Sequence, residues 1–447
     1  MEPRPKSRKG KPTPLPVPRF VRRISAWLDC GPKLPGARIR KLPPSLALAL
    51  WISQALNRNL SCLGVLALLG SRFGLGDVPS TSAFCQARSR LSERQIDNAD
   101  RAVAARFAPS GPSILAGRPL KVVDGVSFTT MDTRENRNAF SCPAGQKPGC
   151  GFPVLSCMAV RLLDTGRMLA LSFSKWSTHD LRLFFAGIGV FVRGDIVVAD
   201  RAFDAFVVYA SLLGRGVDAI CRAKSRRRRF PPAGRCDCHA DRLLTLQRPG
   251  RSDSLGAAGL AKLPETIRLR CIHAKIKARG FRDGDLWLMT TLLDKSAHPA
   301  GEILKAYAMR WGVEVSFRDV KTSMEGVFLR ARSPEMAEKS IRVFFLAHNI
   351  VRLMLHESGM GHPGWELSFK NALPVASELL FALMDGEDSG KFIDGRGAAI
   401  ARLLFRKRER PGQPRAVKRR AKPYPVLTVP RREYKEIPHR NHYRKGA

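Results

Sequence analysis

Apolar residues in the first quarter of the chain recur at helical spacing. Leu46–Leu56 and Leu60–Leu69 predict two helices, and TSAFCQARSRL at 81–91 opens with hydroxyls suited to capping a third. From about Gly117 the pattern becomes strand-like. LKVVDGVSF (120–128), VLSCMAVRLLD (154–164) and MLALSFSKW (168–176) are β-type runs separated by breaks containing Gly, Pro or Asp. Thr178–Phe191 reads as helix, and DIVVADRAF (195–203) as a short buried strand rich in β-branched residues. A helix over Phe206–Leu213 and a strand over Asp218–Lys224 follow. Strands followed by alternating helices and strands predict a mixed α/β sheet.

The texture changes over 225–285, which carries RRRR at 226–229, many Gly and Pro, and two short strand-like runs, RLLTLQR (242–248) and IRLRCIHAKIKA (267–278). This segment reads as a β-rich insertion. LWLMTTLLD (286–294) resumes the buried-strand pattern. Pro299 suits the first turn of a helix running to about Lys321, and a further amphipathic helix spans Glu335–His356. The expected organisation is a basic disordered arm (1–41), a helical DNA-binding domain (42–116), a first core segment (117–224) and the insertion (225–285). A second core segment (286–356) and a C-terminal helical region with a basic tail (357–447) complete it.

Charge then narrows the function. Lys and Arg number 77 against 38 Asp and Glu, a formal net charge of +39. Such an excess repels itself unless a polyanion screens it, and nucleic acid is the usual partner. The arm 1–41 carries only Glu2 and Asp29 as acids, and the tail from Arg402 contains KRRAKPYP at 418–425. That tail reads equally as a solvated end or a DNA contact. The most apolar stretch, Leu46 to Leu69, is interrupted by Asn57, Arg58 and Asn59, which argues against a membrane span. No apolar leader follows the basic N-terminus, so a cytoplasmic location is expected. The ten cysteines are expected to be reduced and mostly buried. Cys236, Cys238 and His239 lack a second matching pair of ligands and read as a mobile, slightly reactive loop rather than a zinc site.

The chemistry concentrates in YAMRWGVEVSFRDVK (307–321). On one continuous helix Tyr307, Arg310, Glu314 and Lys321 would fall within about 60° of one another. That face would carry an aromatic hydroxyl, a guanidinium, a carboxylate and an ammonium, with Trp311 beside them. A solvated ion-paired face is the simpler explanation, but the interleaved Tyr and Trp argue against it. Arg and Lys suit phosphate oxygens, and the Trp311 ring suits stacking on an unpaired base. Two earlier acids, Asp124 and Asp200, end the apolar runs VVD and IVVAD. An acid where a buried strand emerges costs energy unless something compensates it. Capping of the next turn and ligand binding at the strand end explain each acid equally well alone; with Glu314 the three make a metal site.

The spacing Tyr-(2)-Arg-(3)-Glu-(6)-Lys resembles the signature of DDE transposases of the insertion-sequence-four family, which are transposon-five-like. VVDGVSF, GDIVVADRAF, SAFCQARSRL and LRARSPEM (329–336) reinforce the resemblance, which covers about residues 20 to 430. It implies an α/β fold: a ribonuclease-H-like mixed-sheet catalytic core with a β-strand insertion, a helical N-terminal domain and a basic C-terminal tail. It assigns catalysis and metal binding to Asp124, Asp200 and Glu314, leaving aside Asp132, Asp164, Asp180 and Asp195 in the same region. Tyr307, Arg310 and Lys321 would hold DNA-end phosphates, Trp311 would stack beside Arg310, and Trp287 would help displace a base during hairpin formation. The chain departs from the family at SMEGVF after Lys321, and at His179–Asp180, where a Glu is common.

The resemblance further implies two Mg²⁺ ions, with Mn²⁺ able to substitute, and cut-and-paste transposition at terminal inverted repeats. The partners would be double-stranded DNA, both transposon ends and target, bridged by a homodimer associated with the nucleoid. Two other readings remain: a domesticated DNA-binding protein that no longer cuts, and a ribonuclease-H-type nuclease without strand transfer.

Overall fold

The computed structural model describes residues 28, 42–73, 78–107, 114–143, 151–224, 241–276, 284–359, 365–385, 388, 391–392 and 404–406. Most of the basic arm, the RRRR run, Cys236, Cys238, His239 and nearly all of the tail lie outside them. The chain divides into two compact units: Met1–Phe191 with Met309–Phe405, and Val192–Ala308 with Arg406–Ala447.

The first unit begins with four helices: α1 (Pro44–Leu56), α2 (Cys62–Phe73), α3 (Thr81–Arg90) and α4 (Glu93–Ala104). α1 is buried almost throughout, as its nearly unbroken apolar sequence requires. α3 and α4 are started by serine caps: Ser80 accepts from the Ala83 amide, and Ser92 forms a reciprocal capping box with Gln95. Strand β1 (Leu120–Thr130) pairs antiparallel with β2 (Val154–Leu162), which pairs antiparallel with β3 (Met168–Lys175). A short helix, α5 (Arg134–Phe140), lies between β1 and β2 in sequence, and another, α6 (Asp180–Ala186), follows β3.

The second unit holds β4 (Ile196–Ala199), α7 (Phe206–Leu213) and β5 (Asp218–Arg222), with β4 and β5 parallel. β4 is buried at all four positions, as its run of β-branched residues predicts. Next come β6 (Asp241–Gln247), α8 (Gly256–Ala261), β7 (Thr266–Ile276), β8 (Gly284–Thr290) and α9 (Ala300–Ala308). The strands run in the order β4-β5-β8-β7-β6, antiparallel from β5 onward. The strands β6 and β7 of the β-rich segment extend the sheet beyond β8. Arg270, one of the most buried side chains, fixes them. It donates from Nε and Nη2 to the two oxygens of Asp241 at 2.8 and 2.6 Å, and from Nη1 to the His298 carbonyl at 2.6 Å. Such a bidentate pair satisfies a charge that would be costly to bury alone.

The chain returns to the first unit through α10 (Trp311–Arg318), a wide turn over Asp319–Ser323, and β9 (Phe328–Leu329), which runs parallel to β1. The long α11 (Pro334–Gly359) packs on α1, α4 and β3, and β10 (Trp365–Leu367), α12 (Phe369–Asp385) and β11 (Leu404–Arg406) end the described chain. Asn349 on α11 latches this unit. Its amide donates to Asp100 of α4 at 2.7 Å and to the Met168 carbonyl at 2.9 Å, while its oxygen accepts from the Met168 amide at 2.7 Å.

The antiparallel meander of the first unit and the parallel pair of the second are elements of a mixed α/β protein, the class expected from the sequence. The expectation of one continuous helix fails. The helix from Pro299 to about Lys321 is interrupted at Met309–Arg310, where the Gly312 and Val313 amides bond back only three residues. It changes again at Asp319–Ser323, where the Met324 amide reaches the Asp319 carbonyl five residues back. Among the described residues, no helix is long and apolar enough to cross a membrane.

Candidate active site

The site in the first unit is built where α10 crosses β1 and β2. Side chains alternate between faces along a strand. On β1 the even positions Val122, Asp124, Val126 and Phe128 share one face, and all but Asp124 are buried. β2 brings Ala159 opposite Asp124 and Arg161 opposite Val122 on that same face. α10 lies over it. Arg161 donates to the Ser316 hydroxyl at 3.2 Å, and a methyl group at Gly312 would sit 2.9 Å from an Arg161 nitrogen. Gly312 and Ser316 thus let the helix approach the sheet closely. Burial, reinforced by the nearby charge of Arg352, pushes the Arg161 guanidinium down to about 10.

This docking brings three expected residues together. Arg310 donates from Nη1 to Asp124 Oδ2 at 3.3 Å and from Nη2 to Glu314 Oε1 at 2.9 Å. The Arg310 side chain is only 15% exposed, against 24% for Asp124 and 38% for Glu314, so the ion pairs are partly shielded from water. The other Asp124 oxygen accepts from the Gly125 amide at 2.9 Å. Two carboxylates converging on one cation form a hard, anionic oxygen donor set, which suits a divalent ion such as Mg²⁺. Lys321 follows on the same side of β1, its ammonium 5.6 Å from the Phe128 ring centre; burial lowers its pKa.

Asp124 corrects the sequence reading in one respect. It does not end its strand: β1 continues through Gly125 to Thr130 because the alternation of buried Val126, Phe128 and Thr130 carries on past it. Asp200 does follow its strand directly and lies in the second unit, where its Oδ1 accepts from the Ala202 amide at 2.7 Å. The turn-capping role is therefore present at Asp200. Among the described residues, no group of three His, Cys, Asp or Glu is arranged to hold a metal.

The remaining residues separate. Tyr307 lies on α9, beyond the break at Met309–Arg310, so the four signature residues do not share one uninterrupted helix. Trp311 opens α10 and is 58% exposed, free of the core as a stacking surface must be. Trp287 on β8 is engaged: its ring stacks on His273 with centroids 4.1 Å apart at 13°, and the Arg242 guanidinium lies 5.6 Å from it. β7 pairs His273 directly with Trp287, which explains the stack.

The four acids set aside all have structural partners. Asp132 pairs with Arg137, Asp164 closes a turn on the Thr165 amide, and buried Asp195 accepts from the Val192 amide. Asp180 approaches β1 at Gly125, where a methyl group would lie 3.3 Å from its Oδ1. Gly125 faces away from Asp124, so Asp180 meets the strand from the opposite side. The sequence reading missed Arg161, whose only signal was a charge at an inward position of a strand.

The family model described as the transposase DDE domain matches residues 116–350. The chain is similar to the transposase InsG for insertion sequence element IS4 of Escherichia coli (strain K12), 24% identical over 364 residues, covering 77% of this chain and 78% of that one. Among solved structures it is similar to a piggyBac transposase synaptic complex with hairpin DNA, with a TM-score of 0.43 and 10% identity over 88% of this chain and 83% of the other.

Proposed function

Since the chain belongs to the DDE transposase family, we propose that it excises and integrates an insertion sequence by cut-and-paste transposition at terminal inverted repeats. In this reading Asp124, Asp200 and Glu314 hold two Mg²⁺ ions, with Mn²⁺ as a substitute. Bound magnesium supplies Lewis acidity to an attacking water or 3′-hydroxyl and to the leaving oxygen. The observation that carries the reading is the convergence of Asp124 and Glu314 on one cationic group, Arg310.

The chain's own residues do the rest. Asp124 and Glu314 concentrate negative charge at one spot, and Arg310 neutralises part of it before metal and DNA arrive. Once released, Arg310 joins Lys321 and Tyr307 in holding phosphate oxygens of the transposon end. Trp311 stacks on an exposed base beside them, and Trp287 takes part in base displacement once its stack with His273 opens. A hairpin on the transposon end, a homodimer bridging two ends, and a cytoplasmic, nucleoid-associated location complete the reading. The formal +39 charge supplies nonspecific attraction to DNA, so binding weakens steeply with salt.

The test uses the full-length protein and DNA carrying the element's ends. Asp124→Asn, Asp200→Asn and Glu314→Gln each retain end binding within a few-fold and lose Mg²⁺-dependent cleavage. Full cleavage by any one of them removes that residue from the proposed triad. Arg310→Ala weakens end binding; unchanged affinity at every salt concentration refutes a phosphate role.

A further inference from the structure

Cys157, Cys221 and Cys271 are buried, and burial raises the pKa of each thiol. Cys62 and Cys85 differ. Cys62, the first residue of α2, is half-buried, and Cys85 on α3 is exposed; their sulfurs face each other at 3.9 Å. Neither takes part in the DNA chemistry above.

The surroundings of the pair are organised around Arg88. Its Nη2 donates to Cys85 Sγ at 3.6 Å and its Nη1 to Gln54 Oε1 at 3.0 Å. The rings of Trp51 and Phe84, with centres 5.0 and 5.1 Å away, hold the guanidinium in place. Gln54 in turn directs its amide at Cys62 Sγ, 4.0 Å away. Burial raises the Cys62 thiol, and the Arg88 charge counters that rise. Cys62, Gln54 and Arg88 also line a cavity of about 250 Å³, ample for a molecule of water's size. The exposed Cys85 sulfur, with the Arg88 guanidinium beside it, is the one open to an oxidant from solvent.

We propose that Cys62 and Cys85 are a peroxide-oxidised dithiol that closes into a disulfide stapling α2 to α3. The Cys85 thiolate attacks one oxygen of hydrogen peroxide. The O–O bond breaks, Cys85 becomes a sulfenic acid, and the departing hydroxide takes up the proton lost by the thiol to form water. The Cys62 sulfur, shedding its own proton, then attacks the Cys85 sulfur. The S–O bond breaks and a second water leaves. In sum two thiols and one peroxide give one disulfide and two waters, with two electrons passing from sulfur to oxygen. A disulfide requires the sulfurs at about 2.05 Å, so they approach by roughly 1.9 Å, within reach of side-chain rotation. Disulfides of this kind in reducing compartments are transient and redox-sensing.

The test uses the reduced full-length protein, treated with hydrogen peroxide, blocked with N-ethylmaleimide and digested without reductant for mass spectrometry. The expected product is a cross-linked Cys62–Cys85 peptide two hydrogens lighter than its parts, lost on adding dithiothreitol. Cys62→Ser leaves Cys85 as a sulfenic acid that dimedone traps, and Arg88→Ala slows cross-linking several-fold, with circular dichroism confirming that each variant is folded. Recovery of both wild-type residues as maleimide adducts, after exposure that oxidises free glutathione, overturns the proposal. So does a cross-link joining either residue to a different cysteine.

Discussion

Arg310 reaches Asp124 across 186 positions of sequence, donating to its carboxylate at 3.3 Å while also holding Glu314 four residues further on. With both carboxylates ionised, the three side chains carry a net charge of −1. The guanidinium supports the site without a metal and competes with one for the same oxygens.

That competition makes Arg310→Gln informative. Removing the cation takes away the positive charge between the carboxylates, so a divalent ion meets two negative charges instead of a half-neutralised pair. Calorimetric titration with Mn²⁺, without DNA, is expected to show at least about tenfold tighter binding than wild type, a difference of about 1.4 kcal/mol. Equal or weaker binding would show that Arg310 helps to form the metal site instead of guarding it.

Trp311 is exposed and contributes little to the core. Trp311→Ala is therefore expected to alter unfolding free energy by no more than about 0.5 kcal/mol. Affinity for DNA ends with an unpaired base should fall by about 1–3 kcal/mol, the usual worth of one base–aromatic stack. Equal affinity of the two proteins for such ends, by fluorescence anisotropy, would rule out stacking.

Asn349 satisfies both backbone groups of Met168 as well as Asp100. Asn349→Ala leaves a buried amide and a buried carbonyl without these partners, at about 1–3 kcal/mol each. Urea denaturation is expected to show a loss of roughly 3 kcal/mol. A loss below about 1 kcal/mol would mean that the latch is not what joins α4, β3 and α11.

Two buried groups pull stability in opposite directions with pH. Burial, with the charge of Arg352, drives His348 down to about 3. Below about pH 6.5 the unfolded chain binds a proton there that the folded chain refuses, so stability falls as pH drops. Burial drives Asp319 up to about 6, against the attraction of Arg318, Arg352 and Arg161. Between about pH 6 and 3.8 the folded chain holds a proton that the unfolded chain has lost, so stability rises as pH drops. Asp319→Asn removes only the second effect. Its stability should decline toward acid more steeply than wild type, by up to about 1.4 kcal/mol per pH unit between pH 6 and 4. Parallel urea-denaturation curves for the two proteins at pH 4.5, 5.5 and 7 would contradict this assignment.

Local pattern carried much of the architecture. β-type runs bounded by Gly, Pro or Asp located β1 and β2, and the β-branched run located β4, because each of these signals is local to its own segment. Helical spacing placed Arg310 beside Glu314, whereas bringing Asp124 to Glu314 was implied by the family resemblance, and Asp124 does not stand at a strand end. A Val-Val-Asp-Gly run looks like one, yet pairing with β2 carries the strand onward. The break at Met309–Arg310 was illegible for a related reason. No Pro or paired Gly marks it, and Arg310 retains helical backbone angles. Nor did any local signal reveal that Trp287 would be covered by His273, since that partner lies on another strand.

The wide turn at Asp319–Ser323 acts as a phase shifter between Glu314 and the chain leading to β9. It places one residue more in its turn than α-helical winding allows, so the seven-residue interval from Glu314 to Lys321 is not two ordinary helical repeats. Deleting one residue within the turn would restore regular winding and rotate the downstream chain by about 100°, carrying the ammonium away from Phe128. The interval written in the sequence is a count of residues; which direction it addresses is decided by how the backbone is wound between them.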